Sequence, residues 1–292
     1  MKRNKIASLK WMLLGFTLLL FLPIWFWYIS PELTKIPDDF EYKVLVFSRD
    51  NFYDVDKTEF SGEFVSNTEH FYRVVENHAG ILLITSRFTV QQYDGKEIFS
   101  VERTYAVDSK TRKHVPGYGD RDREGYLFAP PGLKKGQNFT YWHVNYDNPA
   151  NMEYRGEEAI AGLTVYKYET NYHADQTFDL EQVVSPLSDR GVNVDINLQL
   201  WVEPVTGRKI KYEDHTTAYF YNLTTGERLH PWNRFQNNVD EISVLKQVEI
   251  AKHEKLKRFF LERIITDLIA IVAILLLSYQ LFNRKQKSEQ RR

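Results

Sequence analysis

The chain holds 292 residues, with 38 Lys+Arg against 39 Asp+Glu, a 15% aromatic share and no cysteine. Without a thiol there is no disulfide, thiolate metal site, iron–sulfur cluster or cysteine nucleophile, so the fold must hold by burial and hydrogen bonding. A charge balance that turns acidic between the two ends offers no basic surface to nucleic acid.

Residues 1–10, read as a cytoplasmic tail, carry Lys2, Arg3, Lys5 and Lys10 and no acid. Residues 11–29 are apolar almost throughout. At about 1.5 Å per residue they reach across most of a hydrocarbon core about 30 Å thick, which makes them transmembrane helix 1. The segment ends in Trp25, Phe26, Trp27 and Tyr28, an aromatic cluster of headgroup type. Small residues of a signal-peptide cleavage site are missing there, so we expect an uncleaved anchor. Pro23 is placed to kink the helix just below the cluster.

Residues 30–238 read as one β-rich extracytoplasmic domain, or two small ones. A linker with Pro31 and Pro37 leads to alternation at Tyr42, Val44 and Val46. A β-branched and apolar run over 80–92 ends at Asp94-Gly95, a hairpin signal, and 97–107 returns. Over 192–202, Val192, Val194, Ile196, Leu198, Leu200 and Val202 alternate with Asn193, Asp195, Asn197, Gln199 and Trp201, the mark of a strand with one buried face. Segments 104–115, 200–212 and 218–230 look alike, each a strand, a polar turn with Thr followed by Gly or Arg, and a second strand; we expect three hairpins of one kind. Residues 117–136 read as a long irregular loop.

From 239 the pattern turns helical. We expect one nearly continuous helix over 240–282, amphipathic over 239–263 and membrane-spanning over 264–282. Asp267 lies about one turn inside that second span, within reach of water or Arg263. The tail 283–292 carries Arg284, Lys285, Lys287, Arg291 and Arg292 against Glu289. Positive tails and an acidic middle put both termini in the cytoplasm and the domain outside the plasma membrane. Lys252, Lys255, Lys257, Arg258 and Arg263 oppose this locally, and the first span outweighs them.

No motif declares a reaction. Asp120, Asp122, Glu124 and Gly125 imitate half a calcium loop, but Pro131 stands where the bidentate acid belongs and Arg121 and Arg123 would repel a cation. A solvated loop is expected. His114, His143, His173 and His215 have no zinc spacing, and no G-x-S-x-G elbow occurs. Glu157 and Glu158 point apart on a strand. Asn138-Phe139-Thr140 and Asn222-Leu223-Thr224 fit the glycosylation pattern, by chance as the default reading. Neither a metal nor a cofactor is expected. Trp142, Tyr166, Tyr168 and Trp201 are the ligand-binding candidates. Either they line a lipophilic cavity under the sheet, or they belong to an ordinary closed core.

The string GEEAIAGLTVYKYE (156–169), followed by LWVEPVTGRKIKYED (200–214), resembles the porin PorA family, as do RTYAVDSKTRKHVPGYGD (103–120) and the flanking apolar segments. A looser likeness is to lipid-binding carriers of the LolA and LppX kind. That likeness implies a mainly β fold, a curved, half-open antiparallel sheet whose concave face holds acyl chains, set here between two transmembrane helices. Neither family supplies a catalytic residue. The PorA name implies a pore, yet a barrel would need many strands with lipid-facing apolar sides, so a channel would have to be built from helices of several copies. The leading expectation is a non-enzymatic membrane-anchored binding module for a lipid or other apolar ligand. The alternative is a structural or pore-forming subunit of a cell-envelope assembly, a homo-oligomer or a larger complex, with a dry core and an association face over 240–262.

Overall fold

The computed structural model describes residues 2–92, 94–177 and 189–289. Arg291 and Arg292 of the basic tail lie outside them. The chain divides into two units, Met1–Lys35 with His253–Arg292, and Ile36–Lys252.

In the first unit, α1 (Lys2–Ile24) passes through a π turn (Trp25–Ile29) into α2 (Ser30–Thr34). A second π turn (Phe260–Ile265) leads into α4 (Thr266–Glu289). Pro23 lacks an N–H, and the wide turn follows it directly, so the helix bends its hydrogen-bond pattern without breaking. α1 and α4 pack antiparallel. A Cβ at Gly15 would stand 2.9 Å from Leu277 Cγ and 3.3 Å from the Ala273 carbonyl oxygen, so glycine is what permits this approach. At the other end Trp25 Nε1 donates to Leu261 O at 3.2 Å. Among the described residues one run, Lys10–Thr34, is long and apolar enough to cross a membrane. The second expected span, 264–282, is helical but does not meet that criterion.

The second unit is built on a ten-stranded antiparallel sheet. Its strands are β1 (Glu41–Asp54), β2 (Glu59–His78), β3 (Ile81–Gln92), β4 (Glu97–Asp108), β5 (Phe139–His143), β6 (Asn148–Ile160), β7 (Leu163–Asp175), β8 (Arg190–Glu203), β9 (Arg208–Asn222) and β10 (Arg228–Val239). They lie in the order β4-β3-β2-β1-β10-β9-β8-β7-β6-β5. Two meanders thus meet at the β1–β10 seam, in register from Val46 opposite Val239 to Phe52 opposite Asn233. The period-two pattern is realised as burial: Ile196, Leu198 and Leu200 are at most 3% exposed and pack with Tyr42, Val44, Tyr72, Leu82 and Tyr212.

Residues 41–45 of β1 and 208–212 of β9 have no β10 neighbour, and α3 (Glu241–Phe259) fills that wedge. Asp240 caps it, its Oδ1 accepting from Ile242 N and Ser243 N. Leu45 N then donates to Ser243 Oγ, Asp240 N to Leu45 O, Gln247 Nε2 to Lys43 O, and Arg208 Nη1 to Gln247 Oε1 at 2.7 Å. On β1 the backbone groups of Lys43 and Leu45 left by the divergence are thus satisfied by the helix start and two side chains, and Arg208 ties β9 to the same helix through Gln247.

The edge strands β4 and β5 are not paired with each other, and the loop 109–138 runs between them. Val107 bridges His114, Lys113 bridges Tyr126, and Tyr126 bridges Tyr141 of β5. Each edge therefore has a local cover.

The three look-alike turns share one chemistry. The first residue accepts from a threonine three positions on: Asp108 from Thr111, Glu203 from Thr206, Asn222 from Thr225 N. The next residue has positive φ, at Arg112 (67°), Gly207 (71°) and Gly226 (72°), and its N–H returns to the first residue's carbonyl at 2.8 Å each time. Recurrent turn chemistry explains the likeness without duplication.

Candidate functional site

Between β8 and β9 the register slips. Leu200 faces Tyr212 and Trp201 faces Lys211, but Val202 faces Lys209, so the extra residue is Ile210. Strict alternation would send Lys209 outward with Lys211. The bulge turns it to the inner face, where it is 2% exposed. The inner face there is built of tyrosines and histidines from four other strands.

Lys209 Nζ lies 5.1 to 5.9 Å from the ring centres of Tyr42, Tyr72, Tyr141 and Tyr212. It donates to Tyr141 Oη at 3.1 Å. Among the described residues no carboxylate pairs with it. Loss of hydration with nothing but rings and one hydroxyl in return pushes its ammonium down to about 7. The same burial, with the Lys209 charge beside them, takes His143 down to about 3 and His70 well below the usual imidazole range. Tyr212 Oη meets His70 Nε2 at 3.1 Å, and His143 Nδ1 meets Tyr172 Oη at 2.6 Å.

Asp214, fully buried two residues beyond Tyr212, forms the other pole. Burial raises its carboxyl to about 6 despite hydrogen bonds from Thr216, Asn237 and Asn145. Tyr146 Oη donates to Thr216 Oγ1, which donates to Asp214 Oδ1 at 2.6 Å. His143 Nε2 stands 3.7 Å from Asp214 Oδ2.

The space among His70, Tyr141, His143, Asn145, Leu198, Leu200, Lys209 and Tyr212 is too narrow to hold a water. Tyr42 Oη, Tyr72 Oη, Tyr105 Oη and His70 Nδ1 have no hydrogen-bond partner among the described residues. Such orphaned groups are costly, and the cluster is the least satisfied part of the core. Chemically it can take up or release protons. It offers no room for a substrate.

A second polar cluster pins the long loop. Asp147 accepts from Arg123 Nε at 2.9 Å and Nη2 at 3.1 Å and from Trp142 Nε1, and it pairs with Arg103 and Arg121. Burial acts to raise its carboxyl, and the hydrogen bonds of Arg123 and Trp142 with the charge of Arg103 hold it below the usual range. Asp120 serves the same cluster, taking Arg123 Nη1 and Thr104 N, and Asp122 accepts Gly117 N. The calcium-like string is therefore a set of loop locks. Among the described residues no His, Asp or Glu cluster could hold a metal ion.

The four expected ligand residues do not converge on one cavity, and none lines the pocket around Lys209. Trp142 lies under Arg121 and Arg123. Tyr168 packs edge-on to Phe139 at 4.9 Å, and Tyr166 edge-on to Tyr154 at 5.3 Å. Trp201 sits opposite Lys167 on the other face of the sheet from both tyrosines. There it is covered by Lys167 and Lys211 and donates to Glu158 Oε2 at 2.7 Å. Of the four histidines, His173 is exposed beside Asp195, far in kind from the buried His143. Asn138 and Asn222 hold Tyr154 N and the β9–β10 turn.

Several solved structures are similar. A putative exported protein with YmcC-like fold from Bacteroides fragilis is 10% identical, covering 71% of this chain and 99% of its own, with a TM-score of 0.31. LprF from Mycobacterium bovis is 13% identical, covering 73% and 88%, at 0.23. Rv2717c from M. tuberculosis is 10% identical, covering 68% and 92%, at 0.26. These scores are too low to bear on the fold or role of this chain. No curated protein matches it. The family described as Porin PorA matches residues 7–282, which takes in helices and sheet alike, and the chain belongs to that family.

Proposed function

We propose that this chain is a two-pass membrane protein whose β-domain stands outside the plasma membrane and acts through its surface, as a non-enzymatic subunit of an envelope assembly. The helix pair supports the anchoring. Leu13, Leu14, Phe16 and Leu20 on α1 and Leu268, Ile271, Ile274, Leu275 and Leu281 on α4 are all exposed, a surface that belongs in hydrocarbon. Basic tails at both ends support cytoplasmic termini.

The observation that carries the role is the close packing of the inner face among the described residues. The inner face of the sheet is filled by its own tyrosines, histidines and aliphatics, and the space around Lys209 does not admit a water. A lipid ligand would require that face to part. The family name suggests a pore, and such a role would fall to helices of several copies.

Two measurements test the reading. Thr58→Cys, in the β1–β2 turn, should react with a membrane-impermeant maleimide on intact cells, and Lys285→Cys only after lysis; the reverse labelling refutes the topology. Native mass spectrometry of the protein in lipid nanodiscs should show no lipid held by the protein once the disc is stripped. A stoichiometric retained lipid would restore the acyl-binding role in place of the assembly role.

A further inference from the structure

Strand β5 and its turn to β6, residues 139–147, form an arm laid over the inner face of β9. Three polar ties join the two: Lys209 Nζ donates to Tyr141 Oη at 3.1 Å, Asn145 Nδ2 to Asp214 Oδ2 at 3.4 Å, and Tyr146 Oη to Thr216 Oγ1 at 2.8 Å. The narrow space around Lys209 lies between Tyr141, His143 and Asn145 on the arm and His70, Lys209 and Tyr212 on β2 and β9. His143 Nε2, Asn145 Oδ1 and His70 Nδ1, from residues that line it, are buried without a hydrogen-bond partner among the described residues. Asp147 ties the far side of the arm to Arg121 and Arg123 of the loop and to Arg103 of β4, so the seam with β9 is the side that can part.

Protons decide whether this seam stays dry. His143 faces Lys209 and Asp214 of β9, Tyr141 of its own strand, Tyr146 of the turn and Tyr172 of β7. His70 faces Lys209 and Tyr212 of β9, Phe88 of β3 and His143 itself. Burial and the Lys209 charge hold both imidazoles neutral while the seam is closed, although each takes a proton near 6.5 in water. Acid therefore favours whichever arrangement lets water reach them. Asp214 has the opposite sign: burial raises its carboxyl to about 6, so its protonation favours the closed seam. Lys209 is charged in both arrangements below about 7 and adds little there. Two imidazole protons gained against one carboxyl proton released leave a net uptake of about one proton on opening, or about tenfold in the opening equilibrium per pH unit between about 7 and 5.

We propose that the arm 139–147 is an acid-released flap, which lifts from β9 and admits water to the inner face of the sheet when His70 and His143 take up protons. Like charges drive the parting. Lys209 and the two imidazoliums would share one dry seam, and the carboxyl beside them, Asp214, is itself neutral below about 6. The device is independent of which side of the membrane the domain faces.

Hydrogen exchange read by mass spectrometry on the full-length protein in detergent tests this, with each rate divided by the intrinsic amide rate at that pH. Protection of the backbone amides in 139–147 is expected to fall about a hundredfold from pH 7 to pH 5, while β3 and β4 keep theirs. His143→Gln alone should cut that fall to about fivefold, and His70→Gln with His143→Gln should abolish it. Asp214→Asn, which removes the opposing carboxyl, should deepen it to about a thousandfold, so the proposal stays testable even if the double variant does not fold. Equal protection of 139–147 at the two pH values, a loss spread evenly over the whole domain, or a histidine variant that keeps the parent's full loss would each overturn the proposal.

Discussion

Replacing Lys209 by methionine keeps the length of the side chain and removes its charge. Burial takes this ammonium from 10.5 down to about 7. At about 1.4 kcal/mol per tenfold change in proton affinity, a charged Lys209 costs the folded state up to about 5 kcal/mol. The lowered proton affinity is already net of what the ring faces give the ammonium, so only the bond to Tyr141 is set against it, about 1 kcal/mol. The variant should therefore be more stable near pH 7 by roughly 3–4 kcal/mol, or roughly 6–16 °C in melting temperature for a domain of this size. The sign with pH follows from the depressed value. Below about 7 both folded and unfolded chains carry the charge and the cost is full; between 7 and 10.5 the unfolded chain binds the extra proton, so stability rises with pH. By pH 9 the remaining cost is about 2 kcal/mol and the variant's advantage should have shrunk to about 1 kcal/mol. Thermal melts of both proteins in the same detergent from pH 7 to 9 read this out. They should stop there, because Tyr42, Tyr72 and Tyr105 hold in the fold protons that the unfolded chain releases near 10. A variant less stable at pH 7, or one with the parent's slope over that window, would refute the account of Lys209 as an unpaired buried amine.

Asp147→Ala leaves three arginines around an empty site and should cost about 3–5 kcal/mol, seen as early proteolytic cleavage within 109–138; an unchanged digestion pattern would mean that the loop is held elsewhere. Gly207 and Gly226 share a backbone conformation, but a Cβ at Gly207 would lie 2.3 Å from Ala129 O, whereas at Gly226 it meets nothing. Gly226→Ala should cost about 1 kcal/mol and Gly207→Ala roughly 3 kcal/mol or more, and equal denaturation midpoints would contradict the close approach. Trp201→Phe loses the bond to Glu158 and should destabilise by about 1 kcal/mol with no change in co-purified lipid; a loss of lipid would return Trp201 to the ligand site.

The strands were legible where one face is buried and the period is unbroken, as over 192–202, and the turns where a threonine precedes a positive-φ position. The polar centre was hidden for the opposite reason. Its making depends on one inserted residue at Ile210, and a bulge leaves no mark in composition while it reverses the face of Lys209. Counting alternation through it sends the wrong lysine outward. The Asp147 cluster was hidden by distance: Arg103, Arg121 and Arg123 read as solvated charges until β4, the loop and the β5–β6 turn bring them to one carboxylate. Trp201 was misplaced because aromatic character was taken for inwardness, although its even-numbered neighbours Leu200 and Val202 already claimed the inner face. The one available signal for the buried centre was the run Arg208, Lys209 and Lys211 in a strand otherwise rich in apolar residues.

The β1–β10 seam has a consequence for how the domain comes into being. Within each meander every strand pairs with its neighbour in sequence, so β1 to β4 and β5 to β10 can each assemble from short-range contacts as the chain is made. The seam joins residues about 180–190 apart, a loop closure that neither half can perform alone. Until β10 emerges, the flank of β1 is an unclaimed row of donors and acceptors, open to a neighbouring nascent chain. Maturation is thus tied to completion of the chain, and one stalled before residue 228 would present the cell with a half-sheet whose β1 edge is open to any other strand.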